Sequence, residues 1–128
     1  MKDVSELNKL KVRQFIEAVL NDGRLELINE LVATDYVGRV PWAGRRVLGP
    51  AGVRQLVLVR RSAYPDLYVK IDDQLAEEDR VATRWHAAAS PKTSADARKS
   101  APRYAGISII RLLAGKQVDS YTAWSRQG

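Results

Sequence analysis

The chain contains no cysteine and only one histidine, His86. The lack of cysteine excludes a disulfide framework, a thiolate nucleophile and a cysteine metal site. A single imidazole excludes zinc sites that take several histidines from one chain, and no metal is expected. No apolar run approaches the roughly 18 residues that a membrane-spanning helix needs. The N-terminal residues lack a signal-peptide core, so a cytoplasmic protein without membrane contact is predicted.

Negative charge is in the minority, with 15 Asp and Glu against 21 Lys and Arg in 128 residues, a formal net charge of +6. A basic chain raises the question of nucleic-acid binding. The cations are scattered singly and in pairs, and no run of them is interleaved with aromatic residues. This distribution favours a solvated basic surface over a specific nucleic-acid site. The length and the 45% apolar content predict one globular domain over residues 1–128.

The first half of the chain has the 3.6-residue apolar period of helices. Ser5 can cap the first helix, and Gly23 can end it because glycine tolerates the left-handed conformation. Proline suits the first turn of a later helix that begins at Gly49-Pro50. The predicted elements are a helix from Ser5 to Asn21, a short helix around Leu27–Val32, a short strand over Thr34–Val40, a loop over Pro41–Gly49, and a helix that Tyr64-Pro65-Asp66 breaks.

The second half changes to the period of two that strands have. Apolar and polar residues alternate in two segments, and a strongly apolar segment and a hairpin turn follow them. Helices on one side of an antiparallel sheet define an α+β domain. The predicted strands are Leu67–Asp72, Val81–Ala88, Tyr104–Leu113 and Gln117–Ser125, joined by Glu77–Arg80, a loop over Ser90–Pro102 and a turn at Ala114–Lys116.

Six stretches match, in order, the local sequences of one known family and cover nearly the whole chain. They are Phe15–Gly23, Ala33–Val37, Gly49–Gln55, Tyr64–Leu67, Asp79–Trp85, and Gly106–Arg111 with Gly115-Lys116. The chain thereby resembles the SnoaL-like polyketide cyclases of the NTF2-like superfamily. The resemblance implies a cone-shaped curved antiparallel sheet with three helices, in the order α-α-β-α-β-β-β-β, around a deep apolar pocket. It also implies a homodimer through the outer sheet face.

The activity that gives this family its name is an intramolecular aldol ring closure of a polyketide ester, without a cofactor. The resemblance assigns it to an acid/base carboxylate late in the last strand and a histidine on the preceding strand. In this chain those positions fall near Ser125 and Ala105, and neither side chain moves a proton at neutral pH. Gly38-Arg39 also stands where the family has a histidine after its Asp-Tyr-Val motif. The resemblance therefore transfers the fold and leaves the usual chemistry without its residues.

His86 is the side chain whose ordinary pKa suits proton transfer near neutral pH. It lies two residues from Arg84, so both side chains point to one face of a strand. If that face is concave, Arg84 can hold an anionic oxygen of a substrate while His86 moves a proton. If it is convex, both are solvent-facing or dimer residues.

The last strand offers a second set of candidates, since Asp119, Tyr121 and Ser125 share one face. The resemblance puts this face toward the pocket. Tyr121 can donate a hydrogen bond to a carbonyl or an enolate, and Asp119 lies near the rim. We therefore predict catalytic roles for Asp119 and Tyr121 together with His86, and a substrate-binding role for Ser125 together with Arg84.

Three aromatic residues stand where the family builds its pocket wall and lid: Phe15, Tyr36 and Trp42. Such surfaces stack on apolar, aromatic ligands, although the same residues would serve equally well as core. The predicted partner is a small hydrophobic, oxygenated ligand.

Three functions stay open for such a domain, since a fold does not fix a function. The first is a cofactor-free enzyme for ring closure, isomerisation or epoxide opening. The second is a binding protein that kept the pocket and lost the catalytic groups, and the third is a dimeric scaffold. We favour the enzyme, because a few polar groups are predicted on the pocket side.

Overall fold

In the computed structural model, which describes residues 3–40 and 44–127, the chain begins with one helical rod whose hydrogen bonding changes halfway. Helix α1 covers Val4–Gln14 and continues as a π-helix over Phe15–Asn21. The predicted cap at Ser5 is wrong, because the carboxylate of Asp3 accepts the hydrogen bond from the Glu6 amide and Ser5 already lies in the helix. Gly23 follows the rod with a φ of +72°, as predicted.

The remaining helices are short except for one. A 3-10 turn over Leu25–Leu27 leads into α2 over Ile28–Leu31, which confirms the short second helix. Helix α3 covers Gly49–Ala63 with proline in its first turn, also as predicted. Helix α4 over Ala95–Ser100 lies in the segment predicted as a loop.

In residues 3–40 and 44–127, six strands form one sheet in the order β2-β1-β6-β5-β4-β3. Strands β3 to β6 make the predicted antiparallel meander, whereas β1 pairs with β6 in parallel. The α+β fold class is confirmed. The strands are β1 Val32–Val40, β2 Arg45–Leu48, β3 Leu67–Glu77, β4 Arg80–Ala89, β5 Arg103–Leu113 and β6 Lys116–Gln127.

Strand β2 corrects the prediction of a loop over residues 41–49. Its four residues pair antiparallel with the end of β1, where Val37 lies opposite Leu48 and Arg39 opposite Arg46. Arg45 and Arg46 are exposed, so the segment lacks the apolar alternation that indicates a strand. The pairing with β1, not the local sequence, makes it a strand.

The helices cover one face of the sheet, here called the inner face. Helix α1 and the π-helix pack against β3, and α1 also packs against β4, whereas α3 packs against β1 and β2. Val12 and Ile16 join Val81 and Ile110 in one buried cluster, and α3 contributes to a second cluster on β1. Strands β5 and β6 are central in the sheet. Their inner face therefore lies between α1 with the π-helix on one side and α3 on the other.

The opposite face of the sheet, here called the outer face, carries large apolar side chains that are exposed. The exposed fraction is 51% for Ile107 and 48% for Ile109 on β5, and 49% for Tyr121 on β6. Strand alternation assigns these three residues to one face, since Ile109 lies opposite Tyr121.

A bulge in β3 decides which residues share the outer face with β4. Ile71 lies opposite Trp85 and Asp73 opposite Arg84, so Asp72 is an extra residue without a partner position. The extra residue shifts the alternation, and both Asp72 and Asp73 are exposed. Asp72 thereby comes to the face that carries Arg84.

Candidate functional site

A row of hydrogen-bonded side chains crosses the inner face of β4, β5 and β6. The indole Nε1 of Trp85 donates to Ser108 Oγ at 3.1 Å, and Ser108 Oγ lies 2.9 Å from Thr122 Oγ1. We call Trp85, Ser108 and Thr122 the inner polar row. Ser108 lies opposite Thr122 across β5 and β6, so sheet register brings the two hydroxyls together.

One hydroxyl hydrogen of the inner polar row has no acceptor within the described residues. Ser108 Oγ accepts from the indole and shares one hydrogen bond with Thr122, which either hydroxyl can donate. If Ser108 donates, the Thr122 hydrogen is left over, and if Thr122 donates, the Ser108 hydrogen is left over. Neither hydroxyl has a further partner within residues 3–40 and 44–127. The row can therefore donate one hydrogen bond to a carbonyl oxygen placed above it.

Gly106 makes room for the two tryptophans beside the row. A Cβ added there would lie 2.5 Å from Cζ2 of Trp85, 2.7 Å from the carbonyl oxygen of Ala123 and 2.9 Å from Cβ of Trp124. No real side chain approaches so closely, so the indole of Trp85 depends on a glycine at this position to reach Ser108.

An aromatic pair continues the inner face toward the start of β5 and the end of β6. The rings of Tyr104 and Trp124 meet edge to face, with centroids 5.0 Å apart and planes at 84°. Burial raises the pKa of Tyr104, and the hydrogen bond and charge of Tyr64 add to the increase. Both rings present apolar surface and can contact an aromatic ligand.

Tyr36 lies on the inner face, as its predicted place in the wall requires, and is buried with 8% of its surface exposed. Its hydroxyl lies 2.7 Å from Ser120 Oγ. Burial raises the pKa of Tyr36, Asp119 adds to the increase, and the hydrogen bond with Ser120 opposes it. Gly38 leaves space for the ring, since an added Cβ would lie 2.5 Å from the tyrosine hydroxyl.

The other two predicted aromatic wall residues have different outcomes. Phe15, the first residue of the π-helix, packs partly buried against both core clusters. Trp42 lies outside the described residues.

Helical segments with the wider π hydrogen-bonding pattern often occur at functional sites, and the end of this π-helix is held by hydrogen bonds. The side chain of Asn21 both donates to the carbonyl and accepts from the amide of Val69.

His86 and Arg84 lie on the outer face, so the inward orientation on which their predicted role depends is wrong. Thr83 and Ala87, their neighbours along β4, are 0% and 2% exposed and take the side that faces the helices. His86 Nδ1 lies 2.8 Å from Asp72 Oδ1, and Arg84 Nη1 lies 3.8 Å from Asp72 Oδ2. Because an ionised carboxylate only accepts, Nδ1 carries the hydrogen in this pair.

The orientation predicted for the candidate residues of the last strand, β6, needs the same correction. Ser120 is buried and Thr122 joins the inner polar row, so Asp119, Tyr121 and Ser125 alternate to the outer face. The prediction that this face lines the pocket is therefore wrong.

Register shows how far apart the outer candidates lie. Ser125 lies opposite Ala105, and Ala105 lies opposite His86, so these three positions form one cross-strand row. Tyr121 lies four residues from Ser125, about 13 Å along the strand. Its ring lies 5.4 Å below the guanidinium of Arg39, on another strand. The structure does not bring His86 and Tyr121 together within one chain.

Sequence reasoning missed the inner polar row and the aromatic pair. The signal for Trp85 was present, since Val81, Thr83, Trp85 and Ala87 are the more apolar set of β4 and such a set faces the core. No comparable signal marks Ser108 or Thr122, because both faces of β6 mix aromatic and polar residues.

Two cavities open to solvent lie elsewhere on the molecule. One of about 350 Å³ lies between Thr34–Val37 and Leu48–Ala51 and touches Tyr36. The other, of about 720 Å³, follows the β3–β4 hairpin and is lined by Glu77–Arg80, Ile109 and Arg111. The inner polar row contributes to neither of them.

Within 3–40 and 44–127, no three His, Asp or Glu side chains are grouped so that they could hold a metal ion. No helix in these ranges is long and apolar enough to cross a bilayer.

Comparison with known proteins gives one family and many similar folds. The family model described as SnoaL-like polyketide cyclase matches residues 10–123. A candidate SnoaL-like polyketide cyclase from a Jannaschia species superposes with a TM-score of 0.80 at 12% identity, covering 98% of this chain and 90% of that one. IdmH, a candidate polyketide cyclase from Streptomyces antibioticus, superposes with a TM-score of 0.76 at 22% identity, covering 92% and 91%.

An NTF2-like protein of unknown function from Mesorhizobium loti is also similar, with a TM-score of 0.72 at 22% identity, covering 100% of this chain and 97% of that one. At these identities the similarity shows the fold alone. No curated protein matches the chain by sequence.

Proposed function

Since the chain belongs to the SnoaL-like polyketide cyclase family, we propose that it binds a small hydrophobic, oxygenated molecule on the inner face of its sheet. The observation that carries this proposal is the spare hydroxyl hydrogen of the inner polar row, between Trp85 and the aromatic pair Tyr104 and Trp124. An apolar site with one placed donor favours a ligand with a flat hydrocarbon body and a carbonyl oxygen. Ser108 and Thr122 are partly buried, so a ligand whose oxygen accepts this hydrogen should bind more tightly than a ligand of the same shape without an oxygen.

Binding is better supported than catalysis at this site. Within the described residues, the polar groups at the inner positions of β4, β5 and β6 are hydroxyls, indoles, one phenol, the amide of Gln117 and the exposed guanidinium of Arg126, and they include no carboxylate and no imidazole. Such groups can polarise a carbonyl but do not remove a proton from carbon near neutral pH.

The test compares two probes that differ by one oxygen, 2-tetralone and tetralin. Either hydroxyl alone can supply the hydrogen bond, so Ser108→Ala and Thr122→Val must be combined. We expect this double variant to bind 2-tetralone about tenfold more weakly and tetralin almost unchanged, measured by saturation-transfer NMR. Ser125→Ala, the same kind of change on the outer face, is the control and should affect neither probe. Failure of the original protein to bind either probe would overturn the proposal.

Catalysis is a second candidate, and it depends on the outer face. His86 donates from Nδ1 to Asp72, which leaves its Nε2 available as a base, a common arrangement for a catalytic imidazole. The expected reaction is removal of a proton next to a carbonyl, the step that begins an aldol closure. Incorporation of deuterium into 2-tetralone in heavy water measures this step. Exchange that is faster than background and lost in His86→Ala would support it, and exchange equal to background would exclude it.

A homodimer through the outer face is also part of this proposal. The half-exposed apolar side chains of Ile107, Ile109 and Tyr121 lie side by side on that face. A two-fold interface uses the same patch on both copies, so a flat sheet face with an apolar centre is suitable. Sedimentation velocity should show a dimer that Ile109→Glu converts to a monomer. A monomer at micromolar concentration before any substitution would remove the dimer from the proposal.

A further inference from the structure

Helix α3 carries a guanidinium on the side where its core residues lie. Val53 and Val57, which are 2% and 1% exposed, mark the stripe that faces the sheet. Arg60 and Tyr64 continue this stripe at spacings of three and seven residues from Val57. Arg60 is half-buried, and its position is one turn before the end of the helix.

No partner within the described part of the chain compensates the charge of Arg60. The guanidinium has no hydrogen bond and no ion pair with any residue in 3–40 and 44–127. Its neighbour Arg61 differs, because Arg61 Nη1 donates to the carbonyl oxygen of Asn21 at 2.6 Å. Burial lowers the pKa of Arg60, and the positive charge of Arg61 lowers it further.

An unpaired, partly buried cation is unfavourable for folding, so its presence needs an explanation. A guanidinium donates two parallel hydrogen bonds to a carboxylate, and this interaction is strongest where water is largely excluded. Tyr64, which directly follows α3, acts on Tyr104 of the aromatic pair, so this end of the helix lies beside that pair. The pair supplies apolar surface, and the inner polar row on the sheet supplies a neutral donor. These three features together suit a molecule with a flat apolar body and one acidic group.

We propose that Arg60 is the binding residue for an anionic group of the ligand, so that the protein selects hydrophobic carboxylates over neutral molecules of the same shape. This inference rests on the proposed binding site on the inner face. It adds the charge of the ligand and the residue that recognises it.

The test uses two dyes of similar shape and different charge. 1-Anilinonaphthalene-8-sulfonate is an anion, and N-phenyl-1-naphthylamine is its neutral counterpart. We expect Arg60→Gln to weaken binding of the anionic dye at least tenfold and of the neutral dye less than twofold, measured by fluorescence titration. Arg54→Gln, which removes the same charge from an exposed position of α3, should change neither dye.

The outcomes separate this inference from the proposed function. If both dyes bind and Arg60→Gln weakens both or neither, the role of Arg60 is wrong while the binding site stands. An equal effect of Arg54→Gln would also overturn it, since the attraction would then come from net charge. If neither dye binds the original protein, the proposed function itself fails.

A measurement without any ligand guards against a variant that does not fold. Replacing an unpaired, half-buried cation with an apolar side chain of similar length relieves an unfavourable burial. Arg60→Met should therefore raise the midpoint of thermal unfolding by about 2 to 5 °C. A lower midpoint would mean that Arg60 stabilises the fold, which contradicts a role reserved for a ligand.

Discussion

The two faces of the sheet differ in the kind of polar group that they carry. Away from the exposed Arg126 at the end of β6, the inner face has neutral donors and acceptors, and some of them are hydrogen-bonded to one another across neighbouring strands, as in the inner polar row and in the pair of Tyr36 and Ser120. The outer face has charged groups at half exposure, such as Asp72 with His86. Charged side chains lie where water solvates them, whereas the polar groups of the buried face form hydrogen bonds with one another and need no water.

This difference bears on what the molecule can do. The sequence points first to the residues with conspicuous chemistry, and these lie on the solvated face. The groups that can surround a ligand are less conspicuous hydroxyls and indoles. The comparison predicts large effects of small changes on the inner face and small effects of charge removal on the outer face.

The largest effect is expected for Gly106→Ala. The added methyl group would overlap Trp85, Trp124 and the main chain of β6, so the indoles must move. Overpacking of this kind lowers the free energy of unfolding by about 2 to 3 kcal/mol. Urea unfolding followed by circular dichroism measures the change. Ala105→Ser, the neighbouring position on the outer face, is the control and should stay within about 0.5 kcal/mol.

The next effect concerns the hydrogen bond between Tyr36 and Ser120. Tyr36→Phe and Ser120→Ala should each lower the free energy of unfolding by about 1 to 2 kcal/mol, because each leaves a buried hydroxyl without its partner. The double variant should lose less than the sum of the two, by about 1 kcal/mol. Strict additivity in a double-mutant cycle would mean that the two hydroxyls do not interact.

Whether the face taken by a strand's residues could be predicted depended on how clearly apolar and polar residues alternate along that strand. Strand β4 was decidable, because Val81, Thr83, Trp85 and Ala87 are more apolar than the residues between them. That pattern already places His86 on the outside. The prediction for His86 gave more weight to the chemistry of the imidazole than to this hydrophobic pattern.

Other parts of the sheet were not decidable from the local sequence. In β6, Tyr121 and Trp124 lie on opposite faces, and both have polar neighbours. The bulge at Asp72 and the pairing of β2 are set by contacts with neighbouring strands. Apart from β2 and α4, which lie in segments predicted as loops, the elements follow the predicted order, since helix and strand periods depend on single segments.

The burial of Tyr36 on the inner face also predicts how the stability of the fold depends on pH. Burial raises the pKa of Tyr36 above its ordinary value of 10.0, so the folded state holds this proton more tightly than the unfolded state. The resulting stability is fully present below pH 10 and is lost as the pH rises through the higher pKa of the folded state. Above pH 10 the original protein should therefore lose stability faster than Tyr36→Phe. The difference in free energy of unfolding between the original protein and Tyr36→Phe should therefore decrease above pH 10. A constant difference would contradict the burial of this phenol.

The smallest effect is expected on the outer face, for Asp72→Asn. This change removes the acceptor of His86 and the partner of Arg84, yet the side chains of these two residues are 45% and 59% exposed. Ion pairs at such exposure contribute about 0 to 1 kcal/mol, and salt screens them. We expect a loss below about 0.5 kcal/mol in urea unfolding at low salt and none at 1 M salt. A loss above 2 kcal/mol that salt does not reduce would mean that this cluster is shielded from water, as it would be in a dimer interface. The stability of this one variant, measured above and below the dissociation concentration, therefore tests whether the outer face remains solvated in the assembled protein.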